Sequence, residues 1–135
     1  MIVIATVDDR NGMTFNHRRL SQDRILRARI VSMATTKLWM NSYTATLFDG
    51  VDGNICVDED FLSKAAPGEY CYVENTPVRP YEDRIEKIIL CLWNRAYPAD
   101  TYWDIDMSRW VLEETQEFAG SSHKKITMNI WRRTS

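Results

Sequence analysis

The amino-acid sequence predicts an α/β fold, a mostly parallel central sheet flanked by helices with an antiparallel edge at the C-terminal end. Three observations carry this. Short apolar runs alternate with helix-like stretches over residues 1–93, as expected of strands joined by helical crossovers. The run "KIILCLW" (87–93) carries a single charge, as a strand buried on both faces of a parallel sheet requires. Two segments near the C-terminus, "TYWDIDMSRWVLEETQEF" and "KITMNIWRR", are joined by "AGSSHK" and read as a final antiparallel strand pair.

Each element follows from local pattern. Ile2 to Val7 is an opening buried strand, and "DDRNG" (8–12) supplies the turn after it. Ser21 is a candidate cap for a helix over about 22–33, in which Leu26, Ile30 and Met33 recur at helical spacing. Leu38 to Met40 is a short strand. Asn41 and Ser42 then open a possible helix running to Phe48, and "DGVDGN" (49–54) is a loop. "ICVDEDFLSKAAPG" reads as a brief strand and a helix that stops before Pro67. "EYCYV" is a strand, and "TPVRPYEDRIE" has turn and helix-start character.

The composition narrows the classes. With 135 residues, 44% of them apolar, and five Trp, six Tyr and four Phe, the chain is read as a single domain over 1–135. Trp103, Trp110 and Trp131 are expected in the core or in cross-strand packing. No stretch approaches the roughly eighteen apolar residues of a membrane span. "MIVIATVDD" reaches its acids without a signal peptide's basic start, so a cytoplasmic location without membrane association is expected. Cys56, Cys71 and Cys91 form no CxxC and suit buried thiols. His17 and His123 are too few and too far apart for a zinc site, so no metal is expected. Arg18, Arg19, Arg24, Arg27 and Arg29 lie in a segment whose one acid is Asp23. That basic segment suits a solvated helix face, or a polyanion or nucleic-acid partner.

Taken in order, "VIATVDDRNGM", "LSQD", "LWMNSYTATLF" and "YPADTYWDIDMSRWVLEETQEF" followed by "HKKITMNIWRR" resemble a dihydrofolate reductase with a shortened adenosine-binding region. The likeness spans nearly the whole chain and rests on order and pattern. It implies that Asp23, at the family's acid position, is the candidate catalytic residue, binding a pterin and assisting its protonation. Ala5, Asp23, Arg27 and Cys91 are the implied ligand-binding residues. Arg27 stands where the family has an aromatic, and Cys91 where it has a threonine. At i,i+4 from Asp23, Arg27 would favour the ionised acid.

The implied cofactor elements depart from the family's pattern. Its cofactor helix begins Gly-Arg-x-Thr, and this chain reads Asn41-Ser42-Tyr43-Thr44, which leaves Ser42, Tyr43 and Thr44 as a weak cofactor-binding set. The family's glycine pair is replaced by Glu74-Asn75-Thr76, and the Pro-Trp pair of its mobile loop by "NHRRL". No cofactor is therefore expected, and NADPH only if the chain is a working reductase. The leading expectation is a non-catalytic protein that binds a small ligand or a protein partner in the cleft between the Asp23 helix and the Cys91 strand. The alternatives are an NADPH-dependent reductase of a pterin-like substrate with Asp23 as acid, and a nucleic-acid or polyanion binder using residues 18–29. The patterns "NGM.FN.RR.S.DR" and "DIDMSRW" are also similar to short bacterial proteins often labelled ribonuclease Z. Two separated histidines do not supply that enzyme's zinc ligands.

Overall fold

The computed structural model describes residues 1–134. Strand β1 (Ile2–Val7) leads through the Asp8–Asn11 turn into β2 (Gly12–Phe15) and β3 (Arg18–Arg19), and helix α1 (Arg24–Met33) follows. Next come β4 (Leu38–Met40), α2 (Ser42–Ala45) with a 3-10 turn at Thr46–Phe48, β5 (Ile55–Val57), α3 (Phe61–Lys64) and β6 (Tyr70–Val73). A 3-10 segment at Arg79–Arg84 precedes β7 (Lys87–Leu92). The chain then forms β8 (Thr101–Tyr102), a 3-10 turn at Met107–Arg109, β9 (Trp110–Phe118) and β10 (Ile126–Arg133).

Seven strands make the main sheet in the order β5-β4-β6-β1-β7-β10-β9. The first five run parallel, while β10 is antiparallel to both β7 and β9. This is the mostly parallel α/β sheet with an antiparallel C-terminal edge that the apolar patterning predicts. The central strands β6, β1 and β7 are buried on both faces of the sheet. Leu26 and Ile30 of α1 pack with Ile4, Tyr72, Ile89, Cys91 and Trp93 on one face. Phe61 and Leu62 of α3 pack with Val3, Ala5, Leu90, Trp103 and Trp110 on the other. Trp131 is half-buried against that second cluster. Cys71 and Cys91 are buried, and Cys56 is half-buried. No helix among the described residues is long and apolar enough to cross a membrane.

Three local expectations change. Helix α1 begins at Arg24 and is capped by Asp23, whose carboxylate accepts from the Ile25 and Leu26 N–H groups; Ser21 instead meets a distant histidine. Residues 12–19, to which the local pattern assigns no element, form β2 and β3, a hairpin through Asn16 and His17, both at positive φ. Two successive left-handed residues match the twist that a tight hairpin needs. Finally, 101–118 is not one strand: Thr101–Tyr102 leaves the main sheet to pair with β2, completing a small sheet of order β3-β2-β8. At the β1–β2 turn, a methyl on Gly12 would sit 2.6 Å from the Ala99 Cβ, so the close approach of residue 99 requires glycine.

Candidate functional site

Asp23 is the best-surrounded carboxylate of the α1 face. Its side chain is inaccessible to solvent. One oxygen accepts from the N–H groups of Ile25, Leu26 and Ser121, and the other from the Ser122 N–H and the His123 ring at Nδ1, 3.2 Å away. Burial pushes its pKa up, but the amides of Ser122, Ser121 and Leu26, with His123, outweigh that and hold the carboxyl well below the usual range. The β9–β10 turn approaches so closely that a methyl on Gly120 would overlap the Asp23 carboxylate. Arg27 forms no ion pair with Asp23 among the described residues. A cap residue turns its carboxylate toward its own first-turn amides, not along the helix toward i+4.

His123 is met by four side chains, those of Asp23, Ser21, Tyr97 and Trp93. Its Nε2 lies 3.1 Å from Ser21 Oγ and 3.2 Å from Tyr97 Oη, while its ring stacks on Trp93 at 4.4 Å between centroids. Tyr97 is placed by Asp8, a second buried carboxylate, which accepts from the N–H groups of Arg10, Gly12 and Tyr97. This cluster and the apolar side chains beneath it fill the space between α1 and the sheet. The crevice lined by Ser21, Asp23, Arg27, Tyr72 and Trp93 holds only about 10 Å³, room for about one water molecule.

The remaining ligand-binding candidates divide by strand phase. Cys91 is fully buried on the α1 face, and burial pushes its thiol up to about 12. Ala5 is not brought to it. In the β1–β7 register Ala5 lies opposite Leu90 and Thr6 opposite Cys91, and successive strand side chains point to opposite faces. The Ala5 side chain therefore lies in the core on the α3 side. Thr6 shares the Cys91 face, and its hydroxyl lies 2.9 Å from Tyr72 Oη.

The cofactor candidates are bridged by the chain's own side chains. Arg19 donates to both Glu74 oxygens, at 2.8 and 3.1 Å, and its guanidinium stands 4.6 Å above the Tyr43 ring. The Arg19 N–H donates to Tyr43 Oη. Asn41 caps α2 by accepting from the Thr44 N–H, and its amide donates to Asn75. The Ser42 N–H is taken by Glu59 at 2.8 Å. Thr44 is buried, and its hydroxyl has no hydrogen-bond partner among the described residues.

The open space lies elsewhere. A groove of about 460 Å³ runs beside the β2–β3 hairpin, lined by Phe15, Asn16, Arg18, Arg19, Leu20, Tyr97 and Pro98. Arg18 is exposed and makes no ion pair or side-chain hydrogen bond among the described residues. Phe15 beside it is 43% exposed. The basic segment is not one patch: Arg19 is engaged by Glu74, and Arg29 lies over the Phe118 ring. Among the described residues no three His, Cys, Asp or Glu side chains gather as a metal-binding group.

A mostly parallel seven-stranded sheet, an antiparallel C-terminal pair and a buried acid at the start of the first helix define an α/β protein of dihydrofolate reductase-like architecture. Comparison with solved structures gives the same result. The chain is similar to dihydrofolate reductase from Enterococcus faecalis, complexed with NADP(H) and RAB-propyl. The match covers 100% of this chain and 97% of that one, with a TM-score of 0.68 and 11% sequence identity. This chain therefore has a dihydrofolate reductase-like fold, and at that identity the likeness concerns the fold alone. No protein-family model and no curated protein matches the sequence.

Proposed function

We propose that this chain is a ligand-binding protein on a dihydrofolate reductase-like fold, that it does not act as an NADPH-dependent reductase, and that its ligand is a small anion with an apolar or aromatic body held in the groove at Arg18. The observation that carries this reading is the contrast between the crevice at Asp23, of about 10 Å³, and the groove of about 460 Å³. A drug-sized ligand needs roughly 300 Å³ or more. The groove also pairs an uncompensated guanidinium with exposed Phe15 and half-buried Tyr97. A guanidinium meets phosphate or carboxylate through parallel N–H donors, while aromatic walls hold the body of the ligand. The bidentate Arg19–Glu74 pair, lying across the place where the resemblance puts a cofactor, speaks against NADPH. A cytoplasmic location is part of the same proposal and rests on the sequence.

Calorimetric titration tests it. Phenyl phosphate is expected to bind with submillimolar Kd and inorganic phosphate more weakly, while NADPH gives no heat at millimolar concentration. Arg18→Ala should weaken phenyl phosphate binding about tenfold, the equivalent of ~1.4 kcal/mol, without changing the melting temperature. NADPH binding at micromolar concentration would overturn the proposal, as would phenyl phosphate binding unaffected by Arg18→Ala.

A further inference from the structure

The α1 end of the molecule carries an arrangement that the groove does not use. Ser21 Oγ, His123 Nε2 and Nδ1, and Asp23 Oδ2 lie in series, with separations of 3.1 and 3.2 Å. From this geometry we infer that Ser21 is a nucleophile, with His123 as its general base and Asp23 as the group that orients the base, and that the chain takes an acyl group from a small anionic ester.

Each role follows from the contacts. Asp23 is solvated by four backbone N–H groups. It stays ionised and accepts the remaining proton from His123 Nδ1, which leaves Nε2 as the acceptor facing Ser21. The Trp93 stack fixes the ring plane. This is the geometry by which a serine hydroxyl is activated in hydrolases, recognised by roles and distances and not by sequence position. Tyr97 Oη shares Nε2 at 3.2 Å and competes with Ser21 for it.

Substrate access comes from outside the closed crevice. Ser21 is half-buried, and it shares the crevice with Gln22 and Arg27. Those two residues also line an open groove of about 410 Å³ with Arg24, Ser121 and Ser122. Arg27 has no acid partner among the described residues. Its guanidinium supplies positive charge for an oxyanion, and exposed Arg24 suits a carboxylate or phosphate on the acyl side. In the first half-reaction Ser21 Oγ bonds to the carbonyl carbon while its proton passes to His123 Nε2. The carbon–oxygen bond to the leaving alcohol breaks, and His123 returns the proton to that alcohol. In the second, water gives a proton to His123, attacks the acyl-serine and releases the acid, and Ser21 recovers its proton.

The test is covalent labelling of the full chain with a biotin-linked fluorophosphonate. In that reaction the Ser21 oxygen–phosphorus bond forms, fluoride leaves, and the serine proton is taken up by His123. Intact mass and peptide mapping are expected to show one adduct, on Ser21. Labelling should vanish in Ser21→Ala and slow about 100-fold or more in His123→Gln, whereas Tyr97→Phe, which removes the competitor, labels at least as fast as wild type. A cluster that only pins the hairpin would leave Ser21 inert. An unlabelled wild type, under conditions that label a known serine hydrolase, overturns the inference, as does an adduct on another residue. Should His123→Gln fail to melt cooperatively, Ser21→Ala and Tyr97→Phe decide. Binding at the Arg18 groove is measured separately, so either idea can fail without the other.

Discussion

The two sides of the β3–α1 connection treat their polar groups in opposite ways. Toward α1, Asp23, His123, Ser21 and Tyr97 satisfy one another and leave about 10 Å³. Toward the β2–β3 hairpin, Arg18 faces about 460 Å³ of open groove with no ion pair or side-chain hydrogen bond among the described residues, beside exposed Phe15. Buried polar groups are costly unless paired, so the closed side is a rigid, pre-positioned cluster. The open side has charge and apolar surface to offer a ligand. The comparison separates a region whose chemistry depends on fixed geometry from one whose chemistry depends on vacancy.

Removing the wall of the closed side should have the largest effect. Trp93 is 5% exposed and stacks on His123, so Trp93→Ala should cost about 3–5 kcal/mol, as other buried aromatic truncations do. A urea melt gives the value. If the loss were within about 0.5 kcal/mol, the range of a typical surface change, the closed side would not be tightly packed.

Asp23→Asn comes next, at about 2–3 kcal/mol. Asparagine caps a helix about as well as aspartate, so the loss falls on the charge-assisted bonds to Ser121, Ser122 and His123. The sign of its pH dependence follows from the depressed pKa. A carboxyl held lower in the folded state stabilises above its unfolded pKa of about 3.9, and that stabilisation fades as pH falls below it. The gap between wild type and Asp23→Asn should therefore be full at pH 7 and narrower at pH 3. A gap that is constant with pH would mean that the amides do not bind the ionised form preferentially.

How much of this was legible in the sequence depends on the reach of each signal. Strands β1 and β7 announce themselves as apolar runs, and α1 through Leu26 and Ile30. The small sheet does not, because β3 and β8 have two residues each and β8 reaches β2 across 87 positions. Asn16-His17 was its one local signal. Asp23 was legible as a helix-start acid, but its role as the cap was not, since Ser21 is an equally good capping residue by type. His123 was missed because it lies 100 positions away on a turn, where no periodicity operates. Ala5 was misplaced relative to Cys91 because faces across two strands depend on register, which no single strand encodes.

The Arg19–Glu74 bridge sharpens the comparison with a smaller effect. Arg19→Ala leaves the Glu74 carboxylate, 7% exposed, without its bidentate partner, at a cost of about 2 kcal/mol for a buried charged acceptor left unpaired. Arg19 also lines the Arg18 groove, but its guanidinium is engaged by Glu74, so the groove should still bind phenyl phosphate through Arg18. If Arg19→Ala weakened that binding as much as Arg18→Ala, the groove and the bridge would act as one site, and the separation between them would fail.

The smallest expected effect is at Glu59, whose exposed carboxylate accepts from the Ser42 N–H. That bond to Ser42 holds its pKa below the ordinary value, yet solvent and salt screen an exposed pair. Glu59→Gln should therefore leave the urea midpoint at pH 7 unchanged within error. The variant is informative because it removes the one negative charge on the Ser42 amide while keeping the Arg19–Glu74 and Asn41–Asn75 bridges. If those bridges keep NADPH out, Glu59→Gln should show no more heat with NADPH than wild type. If binding emerges on this single change, charge at the start of α2, and not the bridged crevice, was the barrier.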